Sequence, residues 1–214
     1  MYSRHDLVWL TGQGWDAALA RAPAQQHALL RKWQAQDWPA VVRRHDPGVA
    51  NDVVCLGIPL PLSDGVRQRL ALVVEHENVA RRLAPLPLGD ALAAAPPGWR
   101  ATLVALQREM SMFDLRVFGS LAMASLTGQP YLRAQSDIDL LLRPATRSEL
   151  ADGTALLGHY AQLLPLDGEI VFPSGDAVAW QEWLAARRDN ARVLVKSMAA
   201  VRLVAPVELE AALA

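Results

Sequence analysis

The chain has 214 residues, of which 52% are hydrophobic and 20% charged, with a mean hydropathy of +0.11. That apolar content excludes intrinsic disorder, while 13 glycines, 14 prolines and a single cysteine exclude collagen-like and disulfide-scaffold chains. A balance of 21 basic and 22 acidic residues argues against a constitutive nucleic-acid or anionic-membrane binder, and leaves room for a local basic pocket.

Cys55 has no second cysteine with which to form an intramolecular bridge, so a reducing compartment is the default. The opening Met1-Tyr-Ser-Arg-His-Asp-Leu-Val-Trp-Leu10 holds no apolar stretch of signal-peptide length. Nowhere do ~18 apolar residues run together, so no transmembrane helix is expected. A cytoplasmic protein is the expectation.

Residues 16 to about 36 show helical periodicity anchored by Leu19, Leu29, Leu30 and Trp33, with Pro23 as a break. Residues 40–44, 52–58 and 69–75 are β-prone runs separated by Asp46-Pro-Gly48 and Ser63-Asp-Gly65, which predicts a small antiparallel meander. Residues 77–83 read as a helical turn or two. Pro85, Pro87, Gly89 and Ala93-Ala-Ala-Pro-Pro-Gly98 form the best linker and put a domain boundary near residue 95. Residues 1–95 are thus expected as a smaller N-terminal α+β domain and residues 96–214 as a second domain.

In that second part, residues 99–112 read as a helix with Leu103, Leu106 and Met110 on one face. Residues 115–118 form a strand ending at Gly119-Ser120, 121–126 a helix and 127–136 a polar loop. Residues 137–142 are a strand, 146–164 a helix, 169–172 a strand and 178–188 a helix. Two strands, 192–195 and 201–204, close the chain. The alternation predicts a mixed sheet layered with helices, and the whole chain is expected to be α+β.

The chemistry concentrates in Gly119-Ser120, Asp137-Ile138-Asp139 and Asp167-Gly-Glu169. Asp137 and Asp139 lie two apart on a predicted strand, so their carboxylates share one face. Carboxylates so close repel unless a cation sits between them, and Mg²⁺ characteristically takes one or two carboxylates plus substrate phosphates. A third acid on a neighbouring strand would let two metals sit ~3.5–4 Å apart, the clamp for in-line phosphoryl displacement. Gly119-Ser120 stands where a strand turns into a helix, where free amides attract phosphate. Strand alternation permits either Asp167 or Glu169 as the third acid. Glu169 opens the apolar run Ile170-Val171-Phe172, whereas Asp167 suits a strand start. Glu169 is therefore expected, with Asp167 as the alternative.

Phe118-Gly-Ser120, Asp137-Ile-Asp-Leu140 and Glu169 or Asp167 resemble the signature of the nucleotidyltransferase superfamily of DNA polymerase β type. In that pattern the third acid stands just before hydrophobic strand residues, which again favours Glu169. The gap from Ser120 to Asp137 is longer than compact members show. Arg4-His-Asp-Leu-Val-Trp9, Gly57-Ile-Pro-Leu-Pro61, Ser136-Asp-Ile-Asp-Leu-Leu141 and Leu166-Asp-Gly-Glu-Ile-Val171, in this order, narrow the resemblance. They look like the malonate decarboxylase holo-[acyl-carrier-protein] synthases, also called phosphoribosyl-dephospho-CoA transferases, over nearly the whole chain.

The resemblance implies a C-terminal polymerase-β-like catalytic domain and an N-terminal domain that binds substrate or carrier. It implies transfer of a 2'-(5''-phosphoribosyl)-3'-dephospho-CoA group from triphosphoribosyl-dephospho-CoA to a serine of the malonate decarboxylase acyl-carrier subunit, releasing diphosphate. Asp137, Asp139 and Glu169 would hold Mg²⁺ or Mn²⁺, and Gly119 and Ser120 would grip the triphosphate. Lys196, one of two lysines in the chain, and Arg133 are further candidates for phosphate contact. His5, Arg44 and His45 lie in repeated Arg-His-Asp strings and are candidate substrate contacts, although such strings are more often turn formers. Trp180 and Trp183 read as a packing face and Cys55 as a buried thiol. The rivals are an enzyme of the same fold that moves a nucleoside monophosphate from ATP or CTP, and a non-catalytic carrier-binding module.

Overall fold

A computed structural model describes residues 2–50, 52–61, 68–189 and 191–214. The chain divides into two compact units, residues 1–85 and 86–214. The mixed helix and strand content agrees with the α+β expectation.

In the first unit, β1 (Leu7–Leu10) leads into α1 (Gly12–Arg21), whose N-terminus is capped by the Thr11 hydroxyl accepting from Gly14 N–H. A 3₁₀ turn, Ala24–Gln26, separates α1 from α2 (His27–Ala35), so the break falls at Pro23 as expected. Then come β2 (Ala40–Val42), β3 (Val53–Pro59), β4 (Arg69–Glu75) and β5 (Val79–Leu83). Among the described residues these strands form an antiparallel sheet in the order β4-β3-β2-β1-β5. Gly48, at φ +77°, supports the turn of Asp46-Pro-Gly48, where Val49 N–H donates to Asp46 C=O. The second expected turn, Ser63-Asp-Gly65, lies outside the described residues.

The helical reading of residues 77–83 is corrected. A single 3₁₀ turn, His76–Asn78, precedes β5, which pairs with β1 through Leu7↔Leu83 and Val8↔Arg82. Ladder bonds to a strand some 75 positions away outweigh local preference. In the core, Trp33 packs edge-on against Trp38 and donates its indole N–H to Pro39 C=O, and Cys55 is a buried structural thiol.

The second unit begins before the expected boundary. β6 (Leu86–Pro87) pairs with β7 (Leu115–Val117), and α3 (Leu88–Ala91) contributes Leu88 and Ala91 to the second unit's core. The proline- and glycine-rich stretch near residue 95 is thus folded within this unit rather than linking two. It continues with α4 (Pro97–Glu109), α5 (Gly119–Thr127), β8 (Ile138–Leu142), α6 (Arg147–Tyr160) and β9 (Leu166–Val171). Then follow β10 (Ala177–Ala179), α7 (Trp180–Asp189), β11 (Val193–Lys196), β12 (Val201–Val204) and α8 (Pro206–Glu210). The sheet order among the described residues is β12-β11-β10-β9-β8-β7-β6, with β8 and β9 parallel and the other neighbours antiparallel.

Helix α6 is the crossover that a parallel pair requires. Its start is fixed by Thr146 accepting from Glu149 N–H while the Glu149 carboxylate accepts from Ala145 N–H. Alternation then sorts the sheet. Ile138, Leu140, Leu142, Leu166, Ile170, Val178, Val193 and Val195 enter the core with Leu103, Leu106, Leu150, Leu157 and Trp183 from the helices. Asp139, Asp167, Glu169 and Lys196 have the opposite parity and so belong to the other face. Among the described residues no helix is long and apolar enough to cross a membrane.

Candidate active site

Parallel pairing sets Asp139 of β8 directly beside Asp167 of β9. Asp137, one residue ahead of β8, joins them, and one carboxylate oxygen from each of the three lies within 4.8 Å of the others. All three residues are half-buried. Ionised carboxylates at that spacing repel by about 3 kcal/mol per pair at an effective dielectric near 20. A hard divalent cation relieves this, and its preference for carboxylate oxygen matches the donor set. The residues present therefore fit a metal such as Mg²⁺.

Two glycines hold the cluster together. At Gly119, φ is +65°, and an added Cβ would fall on the Asp139 carboxylate, its carboxyl carbon only 2.7 Å away. At Gly168, φ is +134°, and a Cβ would run into the backbone of Leu140, whose nitrogen lies 2.6 Å from that position. Any side chain there would force β9 away from β8, and Asp167 from Asp139. Phe118 N–H donates to Asp139 C=O at 3.0 Å, so the start of α5 is tied to the strand that carries Asp139. Phenylalanine at the N-cap of α5 has no capping oxygen, which leaves the first-turn amides to other acceptors. Gly119 and Ser120 are half-buried at this end.

The third carboxylate of the cluster is Asp167, the alternative, rather than Glu169. The Asp167 carboxylate accepts from Gly168 N–H at 2.7 Å and from the Gln181 amide at 3.3 Å. Glu169 lies one step further along the same face of β9, buried, with Lys196 Nζ 3.0 Å from its Oε1. The ion pair gives Glu169 a different partner. Its apolar context placed it inside the sheet, where it is buried and where a cation from β11 reaches it. Gln181 was not anticipated, and nothing in the local sequence of α7 marks it.

The other candidates lie on other segments of the chain. Arg133 is exposed in the loop before β8, where its backbone N–H donates to the Ser136 hydroxyl and its C=O accepts from Ser136 N–H. These bonds fix the approach to Asp137. Tyr131 anchors the same loop; burial pushes its hydroxyl pKa well up, opposed by a hydrogen bond with Thr127. His5, Arg44 and His45 belong to the first unit. His5 adopts φ +69° and donates its N–H to Val42 C=O, Arg44 is exposed, and His45 is half-buried. In the same string as His5, Asp6 is 1% exposed and accepts from Arg82 Nε at 2.6 Å and Ser3 N–H. These bonds shape the string into a turn at the start of β1.

Comparison with known proteins agrees with this architecture. Residues 3–85 match the family model described as phosphoribosyl-dephospho-CoA transferase MdcG N-terminal domain, and residues 83–206 match the C-terminal domain of the same description. A phosphoribosyl-dephospho-CoA transferase of Xanthomonas euvesicatoria pv. vesicatoria is 40% identical, covering 95% of this chain and 94% of its own. One from Bradyrhizobium diazoefficiens is 38% identical, covering 94% and 88%. Another, from Klebsiella pneumoniae (strain 342), is 34% identical, covering 94% and 93%. No solved structure matches the chain. Fold, carboxylates and relatives together define an enzyme of the transferase class. The chain belongs to the phosphoribosyl-dephospho-CoA transferase family.

Proposed function

We propose that this protein transfers a phosphoribosyl-dephospho-CoA group from its triphosphate precursor to a serine of the malonate decarboxylase acyl-carrier subunit, releasing diphosphate. The observation that carries the reading is the Asp137–Asp139–Asp167 cluster packed against Gly119 at the start of α5. It suits a divalent cation and a phosphate chain held side by side. Family membership supplies the identity of the group.

In this reading Asp137, Asp139 and Asp167 hold Mg²⁺ or Mn²⁺, which when bound offsets charge developing on the phosphate oxygens. The first-turn amides of α5 donate to the triphosphate, and the Ser120 hydroxyl adds another donor. Asp167, oriented by Gly168 N–H and Gln181, accepts the proton of the incoming serine. The serine oxygen bonds to the α-phosphorus, the bond from that phosphorus to the bridging oxygen breaks, and diphosphate leaves with the electron pair.

Mass spectrometry of the apo carrier, incubated with this protein, Mg²⁺ and either the triphosphate or ATP, tests the reading. The expected result is a gain of one phosphoribosyl-dephospho-CoA on a serine. A gain of AMP would point instead to nucleoside monophosphate transfer. An unmodified carrier with either donor would overturn the proposal.

A further inference from the structure

Glu169 and Lys196 share the face of the sheet that carries the three aspartates. Lys196 of β11 is in register with Ala177 of β10, which is in register with Val171 of β9; Glu169 is in register with Ala179. The two alanines leave low ground over β10, and the lysine stem crosses it to bring Nζ within 3.0 Å of Glu169 Oε1. The Glu169 side chain is 7% exposed and that of Lys196 36%, so a nearly buried carboxylate fixes a cation that still reaches solvent. Two residues along a strand span about 7 Å, and Glu169 stands two residues from Asp167. The residue that holds the ammonium thus stands about 7 Å along β9 from Asp167, a spacing that a short phosphate chain can bridge.

We infer that Lys196 binds the terminal two phosphates of the triphosphate, the part that departs as diphosphate, and that Glu169 is the positioning residue that aims it. This rests on the phosphoryl-transfer reading above. A purely structural role explains the arrangement less well, because desolvation largely offsets the attraction in a buried ion pair, and apolar residues would fill the space at no loss. Lysine also suits the task. Its ammonium is a compact, strongly hydrated point charge with three donors, suited to phosphate oxygens. The only other lysine, Lys32, lies in the first unit, on α2.

The test is calorimetric titration of the purified protein with inorganic diphosphate in saturating Mg²⁺, with Mg²⁺ affinity and thermal unfolding measured on each variant. Lys196→Met should weaken diphosphate binding at least about tenfold, the scale of one charged hydrogen bond. Lys196→Arg should restore it to within about threefold, because charge and reach are kept. Glu169→Gln should weaken it less and leave Mg²⁺ affinity unchanged. The double variant should bind no worse than Lys196→Met alone, since the two side chains act as a unit. Where Lys196→Met unfolds, Lys196→Gln, which keeps a donor for Glu169, replaces it. Parent binding with unchanged affinity in the folded lysine variants would overturn the inference alone. A parent protein that binds Mg²⁺ but no diphosphate would overturn the phosphoryl-transfer reading with it.

Discussion

Replacing Gly119 with alanine puts a methyl group where the Asp139 carboxylate rests. The left-handed backbone at φ +65° costs an L-residue about 1–2 kcal/mol. Asp139 must also swing away, at about 0.5–1.5 kcal/mol if it leaves a rotamer minimum. Together these amount to roughly 2–3 kcal/mol, or a fall in Tm of about 4–12 °C for a domain of this size. The protein should therefore still fold. Its Mg²⁺ affinity should collapse, because the displaced carboxylate is one of the three proposed ligands, and a misplacement of about 1 Å can cost on the order of 100-fold in rate. Thermal unfolding, Mg²⁺ calorimetry and carrier modification on one preparation give the comparison. A variant with both Mg²⁺ affinity and turnover within about threefold of the parent would refute the claim that this glycine exists to admit Asp139.

Gly168→Ala should be costlier, about 2–5 kcal/mol in urea unfolding, because the obstacle is the Leu140 backbone, which cannot rotate aside; a cost under about 1 kcal/mol would count against it. Asp139→Asn should abolish Mg²⁺-dependent transfer with the far-ultraviolet circular dichroism unchanged, and full turnover in excess EDTA would contradict the metal site. Burial raises the Tyr131 pKa, so the folded state keeps that proton more tightly than the unfolded chain, whose value is near 10. The resulting stability is complete below about pH 10 and is lost as pH rises above it. Tyr131→Phe should thus lose less stability between pH 9 and pH 11 than the parent, and equal losses in urea midpoint would refute this.

The paired aspartates were legible because period-two alternation is local: Asp137 and Asp139 must share a face wherever their strand goes. The third acid was not, because alternation gives Asp167 and Glu169 the same face. What separates them is a cation 27 residues beyond Glu169 that arrives only when β10 and β11 have paired. Apolar context identified Glu169 as buried and could not name its partner. The same limit explains β5, where Val79-Ala-Arg-Arg-Leu83 has ordinary helix formers and becomes a strand only beside β1. It also explains β10, a three-residue strand that the helical pattern of α7 absorbs. The proline-rich stretch before α4 marks irregular backbone correctly, yet Leu86, Leu88 and Ala91 bind it to the second unit, and their burial has no local signature.

The identity of the third ligand is decided by Mg²⁺ calorimetry on Asp167→Asn and Glu169→Gln, two substitutions that remove charge and little volume. Asp167 stands in register with Asp139 within the cluster, and Glu169 is bonded to Lys196. Asp167→Asn should therefore weaken Mg²⁺ binding at least about tenfold, the floor for disturbing even a ligand's support, while Glu169→Gln stays within about threefold of the parent. Strong loss in Glu169→Gln with Asp167→Asn unaffected would contradict the account and return the third ligand to Glu169.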